Sequence, residues 1–166
     1  AYDGVHVPAG AVSSSSVDDF LARRFDRWSA PSILTPDGVD DKDLVLLPEK
    51  MNGNYLLYHR TNNQICADLL PDITEGKRVS RCIEIMGPRR GMWDGMKGGS
   101  TAAPIRVGDN WLMIYHGVSR HATYRLGAAL LGPDGTTLLA RTADPIFEPL
   151  EKYEREGEVA NVVFSC

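Results

Sequence analysis

The chain is poor in cysteine, and the spacing of its cysteines excludes the common metal-binding motifs. Cys66, Cys82 and Cys166 form no CxxC pair and have no histidine at a ligand-like spacing. We therefore expect no metal and no other cofactor. We predict that Cys66 and Cys82 are reduced, partly buried thiols of a cytoplasmic protein, and a disulfide between them is the alternative.

Long apolar runs are missing as well. No segment approaches the roughly 20 apolar residues of a membrane-spanning helix, and no signal peptide is visible. Basic residues are not in excess, because 18 Lys and Arg stand against 22 Asp and Glu, giving a net charge of −4. Proteins that bind nucleic acid usually have a basic face. We therefore expect neither nucleic acid nor a membrane among the partners.

The chain does contain many short, strand-like apolar segments, each bounded by Gly, Pro, Asp or Asn. These segments are residues 43–50, 54–60, 81–87, 103–108, 110–118, 124–132 and 137–143. Turn tripeptides such as PDG and NGN separate several of them, which is typical of hairpins. The one helical candidate is 16–25, where Ser16 would cap the helix and Phe20, Leu21 and Phe25 would share a face. The pattern predicts a nearly all-β protein.

One strand pattern occurs twice. "NGNYLLYHR" (52–60) and "GDNWLMIYHG" (108–117) both run from an Asn and an aromatic residue to Tyr-His, with His59 and His116 lying 57 residues apart. A repeat of this length with about four strands is typical of one blade of a β-propeller. We therefore expect two neighbouring blades whose inner hairpins turn their Tyr-His ends towards one shared pocket.

Five motifs follow one another along almost the whole chain. They are "DKDLVLLPEKMNGNYLLYHR", "MWDGMKGGSTAAPI", "NWLMIYHGV", "YRLGAALL" and "PIFEPLEKYEREGEVANVVFSC". Together they resemble glycoside hydrolase family 130, which consists of β-mannoside phosphorylases and some related hydrolases built as five-bladed β-propellers. The sequence departs from the family where "KGGSTAAPI" replaces its usual "KIG-G-PPPI", and at Asp43, where the family often has Asn. The resemblance implies an all-β fold, a partial five-bladed propeller of about three blades.

The resemblance also implies how the chain is divided. Residues 1–30 would be the remnant of a blade with a short helix or loop, 31–90 the first complete blade, 91–150 the second, and 151–166 the lead-in to the next. The family's general acid is an aspartate in a blade that would precede residue 1. We therefore assign no catalytic residue to this chain, and we expect it alone to be weakly active or inactive and to self-associate through its open edges.

The family's phosphate site maps onto basic and polar residues at strand ends. The positions that match it are Lys42, Arg60, Lys97, His116 and Tyr124. Arg60 could hold two phosphate oxygens at once, Lys97 would add a point charge, and Tyr124 a neutral hydrogen bond. His116 would contribute as a cation if it is protonated near the ordinary pKa of about 6.5. The alternative for Lys42 and Lys97 is that they are surface lysines.

A sugar site is the companion prediction, and its candidates are Glu49, His59, Trp93 and Asp94. The Trp93 ring suits a pyranose face and the Asp94 carboxylate suits sugar hydroxyls. Each has a structural alternative: Glu49 could pair with Lys50, His59 could be satisfied inside the fold, and Trp93 could pack between blades.

The function that the resemblance implies is inverting transfer of a mannosyl unit from a β-linked mannoside to inorganic phosphate, the co-substrate. Phosphate needs no general base, but it must be held by cations and hydrogen-bond donors. One alternative is a non-catalytic carbohydrate-binding or interaction module derived from such an enzyme. The other is an inverting β-mannoside hydrolase, which needs a second carboxylate to activate water.

Overall fold

The structure, a computed structural model, describes residues 7–74 and 76–165. These residues are nearly all β, with two short α-helices, α1 (Val17–Leu21) and α2 (Lys152–Arg155), and one 3₁₀ turn at Phe25–Arg27. The strands are β1 (Ala11–Val12), β2 (Ser32–Ile33), β3 (Lys42–Leu46), β4 (Tyr55–Thr61), β5 (Gln64–Leu70), β6 (Ile83–Met86), β7 (Lys97–Ser100), β8 (Ile105–Val107), β9 (Asn110–Val118), β10 (Tyr124–Leu131) and β11 (Leu138–Arg141).

The first blade is an antiparallel sheet in which β3, β4, β5 and β6 lie side by side in chain order. Lys42 pairs with Arg60 and Val45 with Tyr58, so the register shifts between the two pairs. The bulge falls at Asp43, whose φ of 56° lies in the left-handed region. Bulges commonly re-aim a side chain next to a functional site.

The second blade has the same order, but its first strand is split. Both β7 and β8 pair with β9: Lys97 lies opposite Val118, and Ile105 lies opposite Leu112. The sequence pattern missed β7 because Lys-Gly-Gly-Ser offers no apolar residue. A strand was predicted at 103–108 as part of an inner hairpin, but β8 in this segment is exposed, while most of β7 is buried.

The two blades share one core. Tyr58 from β4 packs in the same cluster as Trp111, Met113 and Tyr115 from β9. Successive side chains of a strand point to opposite faces, so each tyrosine of the repeated Tyr-His pair faces this core while the following histidine faces away. The expectation that both Tyr-His pairs line a shared pocket is therefore wrong for the tyrosines.

A disulfide joins Cys66 to Cys82, and the prediction of two reduced thiols is therefore wrong. Cys66 lies in β5 opposite Glu84 of β6, and this pairing brings the two cysteine Cα atoms within 4.9 Å. That separation lies in the usual range for a disulfide. The cytoplasmic location rested in part on reduced thiols and stays a prediction. Cys166 lies outside the described residues.

The predicted helix is present but short. Ser16 accepts a hydrogen bond from the backbone of Asp19, as expected of an N-cap. Phe20 and Phe25 meet edge to face, with 6.2 Å between ring centroids, although both rings are largely exposed. Within residues 7–74 and 76–165, neither helix is long and apolar enough to cross a membrane.

Candidate functional site

Three positively charged side chains from three strands line one cavity. Lys42 lies at the start of β3, Arg60 near the end of β4, and Lys97 at the start of β7. The cavity has a volume of about 290 Å³ and is mainly polar. Its remaining lining residues are Val39, Asp40, Thr61, Asn62 and Asn63.

The strand pairing explains why these cations meet. Lys42 is the direct antiparallel partner of Arg60 in the first blade. The turn after β4 then bends through Asn62 and Asn63, which have φ angles of 51° and 65°, a conformation that Asn tolerates well. The Asn63 carbonyl accepts a 3.1 Å hydrogen bond from the backbone N–H of Gly98, which places the neighbouring Lys97 beside the turn.

Arg60 is the most enclosed of these cations, with only 7% of the residue exposed. Its Nε lies 3.1 Å from Oδ2 of Asp43, and its Nη1 lies 3.4 Å from Nε2 of His116. Because a guanidinium can only donate, Nε2 of His116 is the acceptor and its ring proton lies on Nδ1. The side chain of Arg60 is therefore held from two sides.

His116 is uncharged at neutral pH. Burial, together with the positive charges of Arg60 and Lys97, lowers its pKa from 6.5 to about 3. The condition under which His116 would contribute a positive charge is therefore not met at neutral pH, and its role in binding phosphate stays a prediction. Its neutral ring instead supports Arg60 and stacks on Tyr124, with 6.0 Å between ring centroids.

Tyr124 and Lys97 complete the cluster. The Lys97 ammonium lies over the Tyr124 ring, 5.1 Å from its centroid, which is a cation–π arrangement. The structure thus brings the five residues of the predicted phosphate site into one continuous cluster, and their role in binding phosphate stays a prediction.

Sequence reasoning mentioned Asp43 only as a departure from the family pattern. In the structure its carboxylate lies inside the cation cluster, next to Arg60 and 3.7 Å from Nε2 of His116. The signal that could have marked it is the run Asp-Asp-Lys-Asp at 40–43, in which the first lysine of the site is flanked by carboxylates.

The predicted sugar residues are not brought together in this way. Glu49 follows β3 at the end opposite Lys42, and it pairs with Arg106, which precedes β9, at 3.2 Å. The end of β3 lies roughly 13 Å from its start, since strands rise about 3.3 Å per residue. Glu49 is thus well separated from the cavity, and its predicted pairing with Lys50 is replaced by the one with Arg106.

His59 is satisfied inside the first blade. Its Nδ1 lies 2.8 Å from Oδ2 of Asp41, and its Nε2 lies 3.2 Å from the carbonyl of Arg81. The residue is 1% exposed, so neither ring nitrogen is available to a ligand without rearrangement. This position supports the structural alternative for His59.

Trp93 and Asp94 belong to the support of the second blade. The Asp94 carboxylate is fully buried and accepts hydrogen bonds from Arg89, Arg141 and the Tyr115 hydroxyl at 2.6–3.0 Å. Trp93 stacks on Tyr115 and donates from Nε1 to the Ala143 carbonyl at 2.8 Å. Both side chains are occupied by contacts within this blade, and their predicted contact with sugar stays a prediction.

Solved structures define the class of protein. The chain superposes on β-1,2-mannobiose phosphorylase from Listeria innocua, solved as a complex with β-1,2-mannobiose, with a TM-score of 0.69 and 36% identity over 75% of this chain and 36% of that one. A glycosyl hydrolase structure from Bacteroides ovatus shares the fold, with a TM-score of 0.70 and 19% identity over 92% of this chain and 49% of that one. The chain is part of a five-bladed β-propeller, as predicted.

Residues 29–166 match the family model described as beta-1,4-mannooligosaccharide phosphorylase. The chain therefore belongs to glycoside hydrolase family 130. It is 42% identical to a beta-1,2-mannobiose phosphorylase of Thermoanaerobacter sp. (strain X514) over 76% of this chain and 41% of that protein. It is 34% identical to the beta-1,2-mannobiose phosphorylase of Listeria innocua over 99% of this chain and 47% of that protein. The chain thus spans less than half the length of these curated relatives.

Proposed function

We propose that this chain supplies the phosphate site of a β-mannoside phosphorylase, which transfers a mannosyl unit from a β-linked mannoside to inorganic phosphate with inversion. The observation that carries the proposal is the cavity lined by Lys42, Arg60 and Lys97. The activities of the relatives support the choice of mannoside and of phosphate, since the Listeria and Thermoanaerobacter relatives are both mannobiose phosphorylases.

The chemistry assigned to the chain is binding and orientation of the nucleophile. Phosphate attacks the anomeric carbon as an anion, so the protein must hold it in line with the scissile bond rather than deprotonate it. Lys42 and Lys97 attract its charge, while Arg60 is held by its ion pair with Asp43 and its hydrogen bond to His116 and can present its other N–H groups in a defined direction. The acid that protonates the leaving oxygen is not assigned to this chain.

The test is calorimetric titration of inorganic phosphate into the wild-type chain and into Arg60→Ala. We expect millimolar or tighter binding by the wild type and a loss of at least about tenfold in the variant, because a charge-assisted hydrogen bond is worth about 1.5–3 kcal/mol. Arg106→Ala is the matched control, since it removes an arginine that pairs with Glu49 away from the cavity. Its affinity for phosphate should equal that of the wild type.

Two results would contradict the proposal. Phosphate binding that is equally tight in Arg60→Ala would place the anion elsewhere. Absence of binding in a wild-type sample with a cooperative unfolding transition would favour the carbohydrate-binding module over the phosphorylase.

A further inference from the structure

The carboxylate of Asp43 lies beside the cavity where the proposed function requires an anion to bind. A fixed negative charge weakens the binding of a second anion nearby. The protein nevertheless holds Asp43 there with a β-bulge and a left-handed φ of 56°, a conformation that costs non-glycine residues energy. The Ser100 hydroxyl also donates a 2.7 Å hydrogen bond to the Asp43 carbonyl, which anchors the bulge to the second blade.

Gly99 makes room for this arrangement. A Cβ atom added at this position of β7 would overlap both the Asp43 carboxylate and the His116 ring. The absence of a side chain at Gly99 therefore lets the carboxylate approach the histidine across the blade boundary. Bulge, left-handed backbone and glycine act together to bring one carboxylate into the cation cluster.

The positive charges around Asp43 compensate the negative charge of its carboxylate only in part. Arg60 from β4 lies 3.1 Å from Oδ2, but its N–H is not aimed at that oxygen, which accepts no hydrogen bond from any described residue. His116 from β9 is neutral, Lys97 approaches from β7, and Lys42 pairs with Asp40 at 2.9 Å. Burial raises the pKa of Asp43 above its ordinary value, against the lowering effect of Arg60, Lys42 and Lys97.

An anion in the cavity would shift this balance further. Arg60 contacts both the cavity and the Asp43 carboxylate, so an entering anion competes with Asp43 for the same guanidinium. Two negative groups that share one site favour a state in which a proton is held between them. The buried Oδ2, which lacks a hydrogen-bond donor, is the natural acceptor of that proton.

We propose that Asp43 is a specificity-determining residue that makes the site select an oxyanion carrying its own proton. This inference rests on the proposed phosphate site. Inorganic phosphate carries at least one proton at neutral pH, and that proton can be shared between a phosphate oxygen and the carboxylate without change in the total number of protons. Sulfate carries none at neutral pH, so it can enter only with a proton drawn from solvent or against the full charge of Asp43.

The experiment compares phosphate and sulfate by calorimetry at neutral pH, using the wild-type chain and Asp43→Asn. We expect the wild type to bind phosphate at least about tenfold more tightly than sulfate, because the Asp43 carboxylate repels an anion that brings no proton of its own. Asp43→Asn should bind sulfate about tenfold more tightly than the wild type does. Asn keeps the size of the side chain and tolerates the left-handed φ, so the fold is expected to survive.

Acidification gives a second readout. Sulfate binding by the wild type should strengthen as the pH falls towards the raised pKa of Asp43, because the carboxyl group is then protonated. Sulfate binding by Asp43→Asn should lack this pH dependence. An unchanged sulfate affinity of the wild type on acidification, beside measurable phosphate binding, overturns the inference.

Asp40→Asn is the matched control. It removes one negative charge, as Asp43→Asn does, but Asp40 lines the cavity itself, its side chain is 60% exposed, and it pairs with Lys42 rather than with Arg60. We expect it to keep the wild-type preference for phosphate. A gain in sulfate binding equal to that of Asp43→Asn would mean that total charge sets the preference, and the inference would be wrong. If folded wild type binds neither anion, the proposed phosphate site itself fails.

Discussion

At the scale of single residues, His116 is a buried neutral base, and this determines how the protein should respond to acid. The pKa of the ring is about 3 in the folded protein and 6.5 in the unfolded chain. Below pH 6.5 the unfolded chain therefore takes up a proton that the folded protein does not. The contribution of His116 to stability is present above this pH and is lost as the pH falls.

We expect the wild type to lose about 1 kcal/mol more unfolding free energy than His116→Gln when the pH falls from about 7.5 to about 5.5. Urea denaturation of both proteins at both pH values measures this difference. Asp43 has a raised pKa and contributes with the opposite sign, but it is present in both proteins and largely cancels in the comparison. An equal loss in the two proteins would show that His116 is not held neutral.

The residues of the site differ in how far sequence could predict them. Lys42, Arg60 and Lys97 lie in motifs that resemble a family, and the structure places them around one cavity. Asp94 also lies in such a motif, yet its partners Arg89 and Arg141 come from different segments, so only the folded structure shows that its oxygens are already used. A motif predicts a position along the chain, whereas the partners that occupy a side chain depend on tertiary contacts.

At the scale of elements, the disulfide ties β5 to the segment that leads into β6. It closes a loop between cysteines 16 residues apart. A cross-link over a loop of this size stabilises a protein by about 3 kcal/mol in the loop-entropy account. The segment it holds also contains Arg81, whose carbonyl contacts His59, and Ser80, whose N–H donates to Asp68 at 2.8 Å.

We expect the double variant Cys66→Ala, Cys82→Ala to lose about 2–4 kcal/mol of unfolding free energy. Chemical denaturation with and without reductant measures the loss, and reductant should lower the stability of the wild type but not of the double variant. Cys166→Ser serves as the control for a cysteine outside this pair. Alkylation and mass measurement of the denatured, unreduced wild type should find Cys66 and Cys82 unlabelled; labelling of both would contradict the disulfide.

The element level also shows which strands a pattern can find. Segments such as β9 and β10 were predicted within one or two residues because their apolar residues mark them clearly. β7 was missed because its buried residues include Gly98 and Gly99, which add no apolar side chain to the pattern. Gly99 instead lets the side chains of Asp43 and His116 come close to the backbone of β7. β5 was also missed, although Asn62 and Asn63 mark the turn between it and β4 and most of its residues are apolar.

At the scale of the whole molecule, large apolar side chains remain uncovered near the second blade. Ile105 of β8, Phe147 and Leu150 after β11, and Phe164 are between 50% and 61% exposed. The chain spans less than half the length of the curated relatives it matches. We propose that a second copy of this chain covers them.

Sedimentation velocity over a concentration series tests this association. We expect the weight-average mass to rise with concentration, because burying several exposed apolar side chains favours association by about 25 cal/mol per Å² before its costs. Replacing Phe147 and Leu150 with Ser should reduce the association, whereas the same change at the exposed Val17 of α1 should not. A monomer at every concentration would rule the proposal out.

The hydroxyl of Tyr58 donates a 2.6 Å hydrogen bond to the carbonyl of Gly135, joining residues 77 positions apart in the chain. Each blade pairs its strands with their neighbours in sequence, so the first sheet can assemble as soon as residue 86 has left the ribosome. The hydrogen bond of its buried Tyr58 can form only after the turn before β11, which contains Gly135, has been synthesised. During that interval the apolar face of the first blade is open to solvent or to a chaperone, and the speed of translation through residues 87–135 sets how long the nascent chain is exposed to aggregation.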